Sequence, residues 1–192
     1  MKIVFCGVGA LGSTAVLFCR NLDATLVFID DDRVESKNLL AQNFVKQSLG
    51  KNKAQALRLQ LQNFFSVNSE AVAVRLVEQN VNSLLDDANL IVDCFDNASS
   101  RLLLSAFVKE SGTALLHAGI SADGTFGLVR WDKNFTVDEE DEQGQASCEG
   151  GEHLPLIGLL ASSIARTIQE YVNTGEMQEY MVSLNGSTQY SR

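Results

Sequence analysis

The sequence predicts an α/β fold built on a mostly parallel sheet, and three observations carry that prediction. Short apolar runs alternate with segments of helical spacing along most of the chain. A glycine-rich turn follows the first apolar run directly and opens a helical segment. Two further apolar runs end in carboxylates, so acidic groups collect where strands stop. Helices laid on both faces of a parallel sheet are the layered solution that such alternation favours.

The elements follow in order. Lys2 to Cys6 reads as a buried strand closed by "GVGALG", Gly7 to Gly12. Residues 10–20 read as a helix, with Ala10, Leu11, Ala15, Val16, Leu17 and Cys19 supplying apolar surface. Ala24 to Ile29 is a second strand, ended by Asp30, Asp31 and Asp32. Val34 to Phe44 is a polar connector with room for a short helix. Lys53 to Phe65 has apolar residues at 54, 57, 61, 64 and 65, which is helical spacing. Ala71 to Leu76 reads as a strand, Val81 to Leu85 as a short helix or turn, and Asn89 to Asp93 as a strand. Arg101 to Val108 is helical, Ala114 to Ala118 and Gly124 to Val129 are strands, and residues 132–152 are a long acidic loop. Pro155 suits the first turn of a helix over residues 156–172. Tyr180 to Leu184 is a last strand, followed by a frayed tail to Arg192. With no internal repeat or linker, residues 1–192 read as a single Rossmann-like domain.

Composition narrows the function. The chain has 192 residues, 45% of them apolar and 20% charged, which suits a folded domain with a sizeable core. Fifteen basic residues stand against 24 acidic ones, for a formal net charge of -9, and no basic block occurs. Direct nucleic-acid binding, which draws on many Lys and Arg, is disfavoured. The densest charge run is Asp138 to Glu142, a solvated loop or a docking point for a basic partner. Of the four cysteines, Cys6 and Cys94 lie in apolar runs and read as core residues. No CxxC pair suggests a thiolate metal site, and the cysteine usage fits a reducing, cytoplasmic setting. No run reaches membrane-spanning length, and "MKIVFCGVG" reads as a strand entering a turn, not as a signal segment. A mean hydropathy of +0.02 suits either a large core or a subunit that buries one face in a dimer.

Gly7, Gly9 and Gly12 form GxGxxG after a strand and before a helix. There, close backbone approach and unpaired helix N–H groups suit a phosphate. Asp30 is placed to accept both ribose hydroxyls, which fits NAD and adenosine nucleotides equally. Asp32 belongs to the same nucleotide edge. Lys53, beside Lys51 at a helix start, is a compact charge suited to phosphates.

The segments "GVGALGS", "IDDDRVESKNLLAQNF", "LGKNKAQAL", "LIVDCFDNASSR" and "SCEGGEHLPLIG" occur in that order. Together they resemble the ThiF/MoeB/HesA-type adenylyltransferases, whose fold is shared with the E1 ubiquitin-activating enzymes. The resemblance covers nearly the whole chain and implies an E1-like adenylation domain. It implies ATP, Mg2+ and a carboxylate substrate, usually the C-terminal Gly of a ubiquitin-like sulfur carrier, made into an acyl-adenylate with release of pyrophosphate. It also implies a homodimer, for which the apolar stretch Leu154 to Ile168 offers surface, unless that stretch is simply a buried helix. On this chain the resemblance assigns Gly7, Gly9, Gly12 and Asp30 to the nucleotide. Asn38, Gln42 and Lys53 fall to the phosphate end, with Asn97 beside them. Asp96 takes the role of the essential acid that serves Mg2+ and the reaction centre, with Lys53 and Arg101 stabilising charge on the transferring group and the departing pyrophosphate, unless Arg101 is a structural salt-bridge partner. Cys148 matches a loop cysteine that takes part in thioester, persulfide or acyl-disulfide chemistry in some relatives.

One departure stands out: Ala41 occupies the position of an expected ATP-contacting Arg. It motivates the alternative of a catalytically impaired partner or scaffold. An NAD-dependent oxidoreductase is a further alternative. It shares Gly7 to Gly12 and Asp30 but leaves Lys53, Asp96, Asn97 and Arg101 without a common purpose.

Overall fold

In the computed structural model, residues 1–136 and 151–190 are described. Among them, eight strands form one sheet: β1 (Lys2–Cys6), β2 (Thr25–Ile29), β3 (Ser69–Val72), β4 (Leu90–Asp93), β5 (Ala114–Ile120), β6 (Phe126–Trp131), β7 (Tyr180–Ser183) and β8 (Gly186–Gln189). Their order across the sheet is β3-β2-β1-β4-β5-β6-β7-β8. The pairs β2·β3, β1·β2, β1·β4 and β4·β5 are parallel, while β5·β6, β6·β7 and β7·β8 are antiparallel. The winding reverses between β1 and β4, and open α/β sheets bind ligands outside the carboxyl ends of the strands at such a point.

Five helices accompany these strands: α1 (Ala10–Cys19), α2 (Lys53–Phe65), α3 (Val81–Leu85), α4 (Ala98–Ser111) and α5 (Leu154–Thr174). Side chains alternate along β1: Ile3 and Phe5 join a core with α1, α2 and α5, whereas Val4 and Cys6 join a second core with α3 and α4. Both faces of the central strands are thus covered. That is why β1, β2 and β4 read as unbroken apolar runs, not as alternating ones. Helix α5 buries Leu156, Ile157, Leu160, Ala161, Ile164 and Ile168, spaced three and four apart on one stripe. This stripe packs against α1, so most of the apolar stretch at 154–168 is core.

Several boundaries differ from the sequence reading. The third strand lies at Ser69–Val72, earlier than residues 71–76. Arg101 to Val108 is the middle of a longer helix that starts at Ala98, because Asn97 caps it by accepting from the Ser100 amide at 2.9 Å. The connector at 34–44 holds a short 3-10 turn, Ser36–Leu40. The tail is not frayed throughout: Gly186–Gln189 returns along β7 as a hairpin strand. Its residues are polar and exposed, so no apolar alternation announced it. The acidic loop begins with a 3-10 turn at Asp132–Asn134, and residues 137–150, including Cys148 and the Asp138 to Glu142 run, lie outside the described residues.

The glycine turn shows why two of its glycines are needed. Gly7 has φ +86°, and a Cβ there would meet the Cys94 carbonyl at 3.0 Å and the Phe95 ring at 3.1 Å. A Cβ on Gly12 would lie 2.1 Å from the Gly7 carbonyl oxygen, so α1 is pressed onto the turn as closely as backbone allows. Gly12→Ala is therefore expected to destabilise the protein by about 2 kcal/mol or more. In a thermal melt its Tm should fall by roughly 4–8 °C; an unchanged Tm would show that the helix and the turn are not held in this contact.

Candidate functional site

The carboxyl ends of β1, β2 and β4 bring three turns together. The β1 turn is the glycine segment. Its Gly7 amide donates to the Ile29 carbonyl at 2.9 Å, and Gly7 packs on the Cys94 backbone and the Phe95 ring just past β4. Gly9 faces open space: the nearest atom to a Cβ there would be the Gln42 Nε2, 4.0 Å away. Gly9 is also the N-cap of α1 and supplies no side-chain cap, nor is there an acidic residue in that first turn. By contrast, α2 and α4 are capped by Asn52 and Asn97. The first-turn amides of α1 are thus left for an anion.

Asp30 closes β2 and is buried. Its Oδ2 accepts from the Val8 amide at 2.8 Å and its Oδ1 from the Asp32 amide at 2.9 Å. Burial pushes its carboxyl up from the ordinary value, while the Val8 amide, the Lys53 charge and the Asp32 amide pull it back. Asn52 ties the same corner together, donating to the Asp30 carbonyl at 2.7 Å and the Asp32 carbonyl at 3.1 Å. Lys53 is buried at the start of α2, where the helix dipole opposes a cation. Its ammonium reaches the exposed Asp32 carboxylate at 2.8 Å, which offsets that cost. The carboxylate oxygens of Asp30, Asp31 and Asp32 fall within 4.8 Å of one another.

The connector after β2 lies over α1. The Asn43 amide donates to Ser13 Oγ at 3.0 Å and its side-chain NH2 to Thr14 Oγ1 at 2.6 Å. Asn38 is buried and accepts the Glu35 amide at 2.8 Å, which shapes the connector's 3-10 turn. Gln42 has a buried Oε1 with no hydrogen-bond partner, and its Nε2 is turned to Gly9. A cavity of about 400 Å³ opens beside it, bordered by Thr14, Ala41, Gln60, Leu154 and Ile157 among others. Ala41 itself is 2% exposed.

Asp96 sits in the turn between β4 and α4, exposed and engaging no partner among the described residues. Arg101 is spent on backbone: its Nε and Nη2 donate to the Phe95 carbonyl at 3.0 and 2.5 Å, and Nη2 donates to the Ala118 carbonyl at 2.9 Å. The Asn97 carboxamide oxygen is engaged at the start of α4. Burial pushes the Cys19 thiol up to about 12 and raises Cys6 and Cys94 as well, which fits inert core cysteines.

The structure therefore groups Gly7, Gly9, Gly12, Asp30, Asp32 and Lys53 around the ends of β1 and β2, with Gln42 laid over Gly9. It sets Asp96, Asn97 and Arg101 on the adjoining turn that Gly7 touches. Sequence reasoning missed Asn43, Asn52 and the buried group around His117. Asn52 carried a signal, an Asn directly before a helical run. His117 carried none, because its partners are distant in sequence.

The donor set fits a magnesium nucleotide. An uncapped helix N-terminus, a glycine whose missing side chain leaves open space, and the donor Nε2 of Gln42 turned to that glycine lie at one edge. Asp96 offers a free carboxylate oxygen of the hard type that Mg2+ takes.

Comparison with known proteins identifies the family and the fold. The chain is 31% identical over 146 residues to the sulfur carrier protein ThiS adenylyltransferase of Bacillus subtilis, a match covering 71% of this chain and 40% of the relative. It is 27% identical over 174 residues to the adenylyltransferase and sulfurtransferase UBA4 of Meyerozyma guilliermondii, covering 85% of this chain and 41% of the relative. The chain thus spans less than half the length of these relatives. Among solved structures, Escherichia coli MccB with ATP superposes with a TM-score of 0.76 at 15% identity, over 100% of this chain and 62% of that one. PaaA superposes with a TM-score of 0.74 at 16% identity, over 99% and 63%. Both share the fold. The model of the ThiF family matches residues 1–189, nearly the whole sequence, and this chain belongs to that family.

Proposed function

We propose that this protein binds ATP at the carboxyl ends of β1, β2 and β4 and adenylates a carboxylate, most simply the C-terminal Gly of a ubiquitin-like sulfur carrier. One observation carries the reading: the uncapped N-terminus of α1 lies between a buried ribose-type acid, Asp30, and the turn that presents Asp96. In this reading the ribose hydroxyls donate to Asp30. The phosphates meet the first-turn amides of α1 and the Gln42 and Asn38 carboxamides. Lys53 exchanges part of its pairing with Asp32 for the phosphate charge. Asp96 holds Mg2+, which when bound would screen the repulsion between the substrate carboxylate and the triphosphate. A substrate carboxylate oxygen then attacks the α-phosphorus, the bond to the bridging oxygen breaks, and pyrophosphate leaves with that electron pair. Arg101, committed to the Phe95 and Ala118 carbonyls, serves as a brace for the Asp96 turn. Cys148, if it takes part, acts after adenylation as an acceptor or relay.

The buried Ala41 favours a second reading, a nucleotide-binding partner with impaired turnover, because no guanidinium is supplied there. A homodimer accompanies either reading. Leu40, Val45 and Leu154 are exposed large apolar residues that border one cavity, and their burial against a second copy would remove them from water.

Three outcomes are expected. Asp96→Asn should lower ATP–pyrophosphate exchange, measured with a carrier ending in Gly-Gly, by at least about 100-fold and change ATP affinity little in the absence of metal. Exchange that survives the substitution would remove Asp96 from the reaction; a wild-type protein that binds ATP without exchanging pyrophosphate would favour the impaired partner. The second outcome concerns pH. The folded pKa of Asp30 lies above the ordinary 3.8, so ATP affinity should be full above that raised value and fall as pH drops through it. The loss therefore comes at a higher pH than for an ordinary aspartate, and Asp30→Asn should erase that step in a titration by calorimetry. Third, sedimentation at micromolar concentration should give a dimer, and Leu40→Asp combined with Leu154→Asp should give a monomer; a wild-type monomer would reject the interface.

A further inference from the structure

We propose that His117 is a positioning residue for the Asp96 turn, acting through Asp93 from a fully buried place in β5. This rests on the assignment of Asp96 to the reaction centre. His117 is 0% exposed and stands directly opposite Asp93 across the β4·β5 ladder. Its Nδ1 donates to Asp93 Oδ2 at 2.7 Å. The other oxygen of that carboxylate, Oδ1, accepts the Phe95 amide at 2.9 Å. Arg101 then holds the Phe95 carbonyl through two nitrogens, and its Nε lies 3.8 Å from Asp93 Oδ2. Both peptide groups of Phe95 are thereby fixed, one by Asp93 and the other by Arg101. The second of these peptides leads into Asp96.

The histidine is held from its far side as well. Its Nε2 lies 3.0 Å from Asp132 Oδ1, just past the end of β6, and Ser105 Oγ of α4 donates to that same oxygen at 2.5 Å. Ser105 Oγ also stands 3.5 Å from Nε2. Phe135 stacks on the ring at 4.1 Å with a 13° tilt. A continuous line of contacts therefore runs from Phe135 and Asp132, at the entry to residues 137–150, through His117 and Asp93 to the peptide that carries Asp96. Burying two carboxylate oxygens and an imidazole costs free energy unless each is satisfied. An apolar residue at 117 would pack equally well but leave Asp93 Oδ2 without its closest donor. Holding one catalytic carboxylate still is a purpose that accounts for this expense, because a misplacement near 1 Å can lower a rate by about 100-fold.

The test compares wild type, His117→Asn, His117→Leu, Asp132→Ala and Asp96→Asn. Asn can keep a donor close to the Nδ1 position, whereas Leu cannot. Pyrophosphate-exchange kinetics and hydrogen exchange at the Phe95 amide are measured on each. His117→Leu is expected to lose roughly 10- to 100-fold in kcat with the KM for ATP unchanged within about threefold, and to speed exchange at Phe95. His117→Asn should recover most of both. If His117→Leu does not fold, Asp132→Ala decides, with the same changes expected in smaller measure. Wild-type kcat and wild-type Phe95 exchange in a folded His117→Leu, or in Asp132→Ala where the former fails, would overturn the positioning role. If Asp96→Asn is inactive while those variants match wild type, only this inference falls. If wild-type protein shows no exchange of pyrophosphate, or Asp96→Asn retains it, the adenylation reading falls and takes this inference with it.

Discussion

The buried carboxylate of Asp30 receives the Val8 amide from the glycine turn at 2.8 Å and the Asp32 amide from its own turn at 2.9 Å. Through these two bonds the end of β2 holds the loop that leaves β1. The glycine turn in turn carries α1, whose closeness is set by the contact between Gly12 and the Gly7 carbonyl. Because α1 packs along α5, the placement of the C-terminal helix also descends from this corner. Asp30 is therefore a structural anchor and a ligand candidate at once. Each of its oxygens accepts a single amide, and a carboxylate oxygen has capacity for a further donor such as a ribose hydroxyl. Burial makes its charge costly, and the amides and Lys53 offset that cost.

The central strands explain why the chemistry gathers where it does. β1 lies between β2 and β4, so the turns that follow all three open on one edge. Gly7 meets the Cys94 backbone and the Phe95 ring, which places the turn of β4 against the turn of β1 with no side chain from Gly7 between them. A side chain at Gly7 would separate the glycine turn from the turn that bears Asp96. The antiparallel half of the sheet has a different task. β6 brings Asp132 to the buried side of β5, where it meets His117.

Most of the fold was legible because buried parallel strands make unbroken apolar runs and helices make periodic ones. β1, β2, β4 and α2 stood within a residue of their observed limits for that reason. β8 was not legible, since an exposed polar edge strand has no apolar period and depends on its neighbour for definition. The candidate site was legible in part. Gly7, Gly9, Gly12, Asp30 and Lys53 follow strand ends or open helices, positions that spacing reveals. Arg101 was read either as a cation for the transferring group and pyrophosphate or as a structural salt-bridge partner; its guanidinium is placed on two carbonyls, a commitment that only three-dimensional proximity to β5 discloses. His117 and Asp132 sit 24 and 39 residues beyond Asp93. Nothing local ties them to it; the β4·β5 ladder does.

The two cations assigned to the reaction centre, Lys53 and Arg101, are already engaged. Lys53 is paired with Asp32, Arg101 is bound to backbone, and position 41 carries a methyl group in place of a charge. Under the proposed reading, a triphosphate arriving at this edge of a chain of net charge -9 would meet Asp30, Asp31, Asp32 and Asp96. Affinity would then come from groups that need no counter-charge: the amides of the first turn of α1 and the Gln42 Nε2, which is turned to Gly9. Such neutral dipoles hold an anion at fixed distance with little reorganisation, since the fold has already oriented them. They do not cancel its charge. A divalent cation entering with the nucleotide would supply that neutralisation, which gives the unpaired carboxylate of Asp96 a reason to stand exposed at the mouth of the site, not buried in a salt bridge.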